Sequence, residues 1–381
     1  MKFKATEGEA FRVEEQSEGR RIQPVSTNDS YAVLMENLGF QGSNRLRPIL
    51  EMLMTPDQAK MAVALPGTPQ EVAENTGIDV NRVRDNLDEL YFKGVIFPRG
   101  DFRNRVYYRF ARSIGQFHDS TMATEQLDVK KDRPFFELWY DFVMNEMYPN
   151  SAKRFGEMES PRTRIVPAYR SIKDLPGVLP YENFPEILKA QELIATAPCS
   201  CRLCTDSVGE PCDLHDEVAH AVCLQFGRGA DYIIARGSGR ELSKEEVLEL
   251  NDIIEESGLL HLWPNSAAMT GPKTSCQCCR DCCMTYVPID QAELPISKVW
   301  EKSRYQAYIN QDDCDGCQIC VDRCLFDAIE MERPDGSKKY KATVDADKCF
   351  GCGSCVIGCE TAAMKMKVVR PPEHIPQPIT A

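Results

Sequence analysis

The side chains able to do chemistry in this chain of 381 residues are its cysteines. There are 18, all at or beyond Cys199. Thiolates are soft ligands, suited to zinc and to iron–sulfur clusters. Of the five histidines only His215 and His220 lie among them, so the site chemistry is thiolate chemistry. The strongest spacing is Cys314-x2-Cys317-x2-Cys320-x3-Cys324, repeated as Cys349-x2-Cys352-x2-Cys355-x3-Cys359. Three thiolates spaced by two residues wrap one cubane, while the fourth begins a helix and points to another cluster. Zinc ribbons and knuckles also use Cys-x2-Cys pairs, but zinc has no reason to demand eight ligands in this duplicated order.

Ten cysteines remain. Cys199, Cys201, Cys204, Cys212 and Cys223 come first, and Cys276, Cys278, Cys279, Cys282 and Cys283 follow. They suffice for two more cubanes with two thiols spare. The competing readings are zinc, a redox dithiol at Cys201 and Cys204, or buried inert thiols. Five cysteines within eight residues are too many for packing, and without a metal they would be an oxidation liability. Neighbouring clusters tilt the choice to iron. Thiolates adjacent in a chain diverge, so Cys278-Cys279 and Cys282-Cys283 are expected to serve two clusters or to hold a non-cubane one.

Elements must position these residues. Residues 1–40 are polar, an arm with at most a short helix at Tyr31–Leu38. Apolar periodicity at Leu46, Ile49, Leu50 and Leu53, then at Ala59, Met61, Ala62 and Leu65, predicts two helices. Thr68-Pro69-Gln70-Glu71 reads as a capped helix start, and a further helix carries Val80, Val83, Leu87 and Leu90. Gly94 ends it before a hairpin pattern at Val95–Phe97 and Val106–Tyr108. Helices followed by a basic hairpin look like a winged helix. Arg82, Arg84, Lys93, Arg99, Arg103, Arg105 and Arg109 give the stretch a positive excess, yet Asp85, Asp88 and Glu89 share its second helix. Protein docking is therefore preferred over DNA binding. The aromatic helix around Phe135–Met147 is expected to be core, Arg164–Val166 a strand, and Pro185–Ala197 a segment that starts as a helix and runs into Cys199. Ser243-Lys244-Glu245-Glu246 is a capping box, and its helix, ending near Gly258, is expected to bring the two cysteine segments together. The tail Arg370–Pro378 reads as extended.

Composition excludes much else. The formal net charge of −13 argues against a general nucleic-acid or anionic-lipid binder. No apolar run approaches the roughly 18–20 residues of a membrane span. Met1–Lys4, followed by Glu7, Glu9, Glu14 and Glu15, has no apolar signal core, so a cytoplasmic location is expected. Gly227-Arg-Gly229 and Gly237-Ser-Gly239 complete no dinucleotide motif.

The C-terminal repeat resembles a bacterial two-cluster [4Fe–4S] ferredoxin. That resemblance implies one cluster on Cys314, Cys317, Cys320 and Cys359, and a second on Cys349, Cys352, Cys355 and Cys324. Leu325 and Glu360 stand where the ferredoxin pattern has proline. From the winged-helix region onward the chain resembles a family of large ferredoxin-like proteins of anaerobes. The motifs are Pro198–Arg202, Cys212, Cys223–Gly227, Gly258–His261 and Cys276–Cys283. Cys204 is outside that pattern, and Asp281 stands where members often carry cysteine. The expected fold is multidomain α+β. It comprises a polar arm (1–43), a winged-helix-like domain (44–112), a central α/β domain with cysteine-rich iron–sulfur segments (113–307), a dicluster ferredoxin domain (308–368) and a proline-rich tail (369–381). Metal ligation is expected at Cys199, Cys201, Cys212, Cys223, Cys276, Cys278, Cys279, Cys282 and Cys283, making two further central clusters. The leading function is electron transfer as a protein or subunit of an oxidoreductase complex. Electrons would pass from ferredoxin, a flavoprotein or NAD(P)H to a flavin- or metal-dependent partner. The alternatives are a reductase with its catalytic cluster at Cys276–Cys283, and a cluster-sensing regulator acting through the winged helix.

Overall fold

The computed structural model describes residues 29–123, 127–212, 222–265, 274–334 and 339–375. His215, His220, the chain before Asp29 and the tail beyond Ile375 lie outside the described residues.

Local signals in the sequence fix the N-terminal elements. Helices α1 (Ser30–Asn37), α2 (Leu46–Leu53), α3 (Pro56–Val63), α4 (Pro69–Thr76) and α5 (Val80–Phe92) precede the antiparallel pair β1 (Ile96–Pro98) and β2 (Tyr108–Phe110). Thr55 with Gln58, and Thr68 with Glu71, form reciprocal caps that satisfy N-terminal backbone donors. Gly77 ends α4 at φ 73°, which glycine adopts without a Cβ penalty. Helix α1 is packed core rather than arm, with Leu34, Met35 and Leu38 buried. The aromatic helix Arg133–Phe142 completes this core with Phe135, Phe136, Trp139 and Phe142.

The basic residues of this region are mostly neutralised within the protein. Arg82 pairs with Asp57 at 2.6 Å, Lys93 with Glu89 at 2.6 Å, Arg105 with Asp88 at 3.0 Å and Arg103 with Asp231 at 2.5 Å. The β1–β2 hairpin is also engaged. Phe97 stacks on Tyr232 at 5.4 Å, and Phe102 meets the same ring edge-on, so the hairpin lies against the helix Arg228–Arg236.

That helix belongs to a seven-stranded sheet. Its strands are β3 (Thr163–Val166), β4 (Ile194–Ala197), β5 (Cys223–Phe226), β6 (Arg240–Glu241), β7 (Leu260–Pro264), β8 (Thr274–Cys278) and β9 (Trp300–Glu301). The spatial order is β6-β4-β5-β8-β7-β3-β9, antiparallel throughout except for β3 beside β9. The segment expected to start as a helix at Pro185 does so, in the short helix Phe184–Lys189, and then continues as β4 toward Cys199. Ile194, Ala195 and Ala197 make a continuous buried run, the pattern of a strand covered on both faces. The helix Lys244–Ser257 starts at the Ser243–Glu246 box and ends at Gly258, φ 84°.

Strands β10 (Tyr305–Ile309), β11 (Ile329–Glu332), β12 (Lys341–Val344) and β13 (Met364–Val368) form two antiparallel pairs, β10 with β13 and β11 with β12. These frame the two Cys-x2-Cys-x2-Cys loops. The loops share backbone conformation, with Gly316 and Gly351, Gln318 and Gly353, and Asp327 and Ala362 at positive φ in matching positions. A Cβ on Gly316 would strike the Tyr340 carbonyl, and one on Gly351 the Tyr305 carbonyl.

Candidate metal centres

The C-terminal cysteines separate into two sets of four. Cys314, Cys317, Cys320 and Cys359 line one small cavity, and Cys324, Cys349, Cys352 and Cys355 line a second. Each set takes three thiols from one loop and the fourth from the other. Backbone donors approach the sulfurs: Ala328 N–H to Cys324 Sγ at 3.3 Å, Met364 N–H to Cys359 Sγ at 3.4 Å and Ala307 N–H to Cys349 Sγ at 3.5 Å. Such donors stabilise sulfur-borne negative charge, which tunes the potential of a thiolate-held cluster. Burial pushes the Cys352 thiol up to about 12, with the charges of Cys324 and Cys349 adding to it. Four thiols facing one apolar space cannot all ionise unless a bound metal centre takes up the charge. The donor set therefore fits an iron–sulfur cluster.

The central thiols are gathered by strand register. Ala197 pairs with Cys223, so Cys199 emerges beside β5. Leu224 pairs with Ser275, which sets Cys223 next to Cys276, and Cys276 and Cys278 share one face of β8. The ladder makes this juxtaposition, and the helix Lys244–Ser257 packs where the two segments meet again in a smaller group, its Ile254 against Cys212 of the first and Cys279 and Cys282 of the second.

Adjacent cysteines diverge. Cys278 and Cys283 meet at 3.5 Å, while Cys279 and Cys282 meet at 2.9 Å in the smaller group. There Cys212 lies 3.5 Å from Cys279 and 3.7 Å from the carboxylate of Asp281, a set of four ligand atoms close enough to hold a metal. Hydrogen bonds from Cys279 and Cys282 pull the Cys212 thiol well down, and the same contacts push Cys282 up. The buried guanidinium of Arg202 is held strongly charged by the surrounding Cys212, Cys279, Cys199 and Cys282, against its own burial.

The larger group is a ring of six. Cys199 and Cys201 hydrogen-bond each other; Cys201 feels the charge of Cys283, which contacts Cys278. Cys278 bonds to Cys276, whose charge, after burial itself, raises Cys223, and Cys223 feels Cys199 in turn. All six line a cavity of about 1400 Å³ between the sheet and the N-terminal helices. Cys204 is elsewhere. It is buried in the N-terminal core beside Leu203, and burial alone pushes its thiol up to about 12.

One apolar core links central and C-terminal sulfur. It holds Cys278 and Cys283 together with Cys320, Cys349 and Cys355. Tyr286, Trp300, Phe326 and Phe350 run through it with ring centroids 5.4, 6.4 and 4.5 Å apart in sequence. Polar contacts lock the junction. The Cys352 carbonyl accepts from Ala168 N–H at 2.8 Å, and Arg280 pairs with Asp327 at 2.8 Å. Arg323 donates to the Glu255, Glu256 and Ser354 carbonyls, placing a cation at a helix C-terminus, where the dipole favours it.

A family model described as 4Fe-4S dicluster domain matches residues 313–363. The match spans the eight C-terminal cysteines and stops short of the central ten. The C-terminal region is thus a 4Fe–4S ferredoxin-type domain. No curated protein and no solved structure matches the chain. No helix among the described residues is long and apolar enough to cross a membrane. Sequence reasoning had not singled out Asp281 as a ligand or Arg202 as a charge partner. The signals were present, Asp281 standing where the resembled family often carries cysteine and Arg202 closing the Pro198–Arg202 segment, but only the fold sets both beside the thiols of Cys212, Cys279 and Cys282.

Proposed function

We propose that the protein carries electrons through four iron–sulfur centres, as a subunit or partner of an oxidoreductase. The observation that carries this reading is the single apolar core joining central thiols to the C-terminal sets. Two cubanes occupy the C-terminal cavities, on Cys314, Cys317, Cys320 and Cys359 and on Cys349, Cys352, Cys355 and Cys324. A third centre sits in the six-thiol ring. A fourth takes Cys212, Cys279 and Cys282, with Asp281 as the oxygen ligand. Low-potential electrons enter from a ferredoxin, flavoprotein or NAD(P)H-linked donor and leave to a flavin- or metal-dependent partner. The protein's own contribution is to fix the centres and tune them through N–H···S bonds, burial and the Arg202 charge.

The reductase alternative has an observation of its own in the wide cavity over the six-thiol ring. The ion pairs of Arg82, Arg103 and Arg105 and the docked hairpin weigh against the regulator alternative, because they occupy basic groups that would otherwise meet phosphates. The first test is anaerobic purification of the full chain with iron, sulfide and zinc analysis. About sixteen iron atoms per chain are expected if every centre is of the four-iron type. About eight would confine clusters to the C-terminal domain, and zinc in their place would overturn the central assignment.

A further inference from the structure

The cavity over the six-thiol ring is too large for a cluster alone. Its roughly 1400 Å³ exceeds the ~300–1,000 Å³ of ordinary small-molecule pockets. Away from its thiols the lining is basic, whereas the chain carries a formal net charge of −13. Arg236 lies buried in the wall, Arg109 is half-buried, and Arg112, Arg154, Arg162 and Arg228 stand exposed along the lining. The carboxylates lining it are Glu36 and Asp119, and Asp119 is taken by Ser200 Oγ at 2.6 Å and by His118.

None of these six arginines makes an ion pair among the described residues. The contrast with Arg82, Arg103 and Arg105, each matched to an aspartate in the same part of the molecule, makes this selective. Arg236 donates to Tyr232 Oη at 3.0 Å and to the Ala123 carbonyl, and its buried Nε has no partner. Arg109 donates to the Phe110 carbonyl and to Gln116 Oε1, both neutral. Burial, followed by the charges of Arg112 and Arg99, lowers its guanidinium to about 10, so it stays cationic at neutral pH. A buried or crowded cation with no counter-charge is costly, and an arriving oxyanion relieves that cost.

We propose that this cavity binds a small organic polyanion, a molecule bearing two or more phosphate or carboxylate groups. Its charged end sits between Arg109 and Arg236 and its body reaches toward the Cys276 side of the ring. The exposed arginines form a basic funnel that draws the ligand in. A concave site with a buried guanidinium suits a small molecule better than an acidic protein surface, which could not reach Arg236. Binding itself does not depend on which metal fills the ring. The consequence that the ligand sits beside a redox centre rests on the iron–sulfur reading given above.

The test is calorimetric titration of the full, anaerobically reconstituted protein with adenosine 5′-diphosphate and, separately, citrate. These two arms distinguish phosphate from carboxylate recognition. One site per chain is expected for at least one probe, with affinity falling as salt rises. R109Q combined with R228Q should weaken it at least about tenfold, the loss of a charge-assisted contact. R236Q should do the same if it folds. R133Q, an exposed arginine paired with Glu137, should leave affinity unchanged. The bound probe should also shift the electron paramagnetic resonance of a central centre and leave the C-terminal pair unaltered. Failure of both probes at millimolar concentration would overturn the proposal, as would equal affinity in the double variant. Tight binding of polyglutamate without either small probe would assign the basic mouth to an acidic protein instead. Iron measured on the same sample decides the cluster reading separately.

Discussion

Glu182, in the turn Pro180–Glu182 ahead of the helix Phe184–Lys189, ties residues at the start of β10 to the central region through one oxygen. Its Oε2 accepts from Arg304 Nη1 at 2.8 Å, from Tyr305 Oη at 2.9 Å and from Leu179 N–H at 2.8 Å. The pair is buried, with side-chain exposures of 5% for Arg304 and 2% for Glu182. Tyr305 begins β10, which pairs with β13, and neighbouring Ser303 bonds to the Gly351 carbonyl within the Cys349 loop. Glu182→Ala removes the counter-charge and leaves Arg304 buried with only carbonyl partners. Breaking one side of such a pair costs about 3–5 kcal/mol. The orphaned tyrosine hydroxyl belongs to the same network and is not added on top. With a urea dependence of about 3 kcal/mol per molar, the unfolding midpoint should fall by about 1 to 1.7 M. The assay is urea unfolding of the reconstituted protein, followed by circular dichroism and by cluster absorbance. Glu186→Ala is the control. Its pair with Lys189 spans a similar 2.8 Å but is half exposed, so its loss should cost under about 1 kcal/mol. An unchanged midpoint in Glu182→Ala would refute the reasoning that this network carries the junction.

Other outcomes follow from the same structure. Cys324→Ala should give the spectrum of Cys355→Ala rather than that of Cys320→Ala, because Cys324 faces the Cys349 loop; a spectrum like Cys320→Ala would sink the crossed arrangement. Cys204→Ser should keep its full complement of iron and lose about 1–3 kcal/mol of stability from a buried hydroxyl, measured by metal analysis and denaturation together. Gly353→Ala should loosen the Cys352 loop, since its φ of 82° strains any side chain and its Cβ would strike Ser171; limited proteolysis at that loop should quicken. Gel shifts with genomic fragments should show no salt-sensitive, sequence-specific band, and nanomolar-scale binding would restore the regulator reading.

The sequence by itself determined what depends on near neighbours along the chain. Caps at Thr68 and Ser243, glycine ends at Gly94 and Gly258, and the duplicated cysteine loops are encoded within a few residues, and each forms as expected. Divergence of Cys278 from Cys279, and of Cys282 from Cys283, was legible for the same reason, because it follows from consecutive backbone geometry. Only the tertiary structure decided which of the central thiols meet. Cys199, Cys223 and Cys276 are joined by strand register, and register is set by pairing partners far apart in sequence. The sequence likewise could not separate the arginines of the hairpin from those of the cavity. Arg103 and Arg109 are near neighbours on the same basic stretch, yet one finds Asp231 and the other no carboxylate, since charge compensation is settled by what the fold brings alongside.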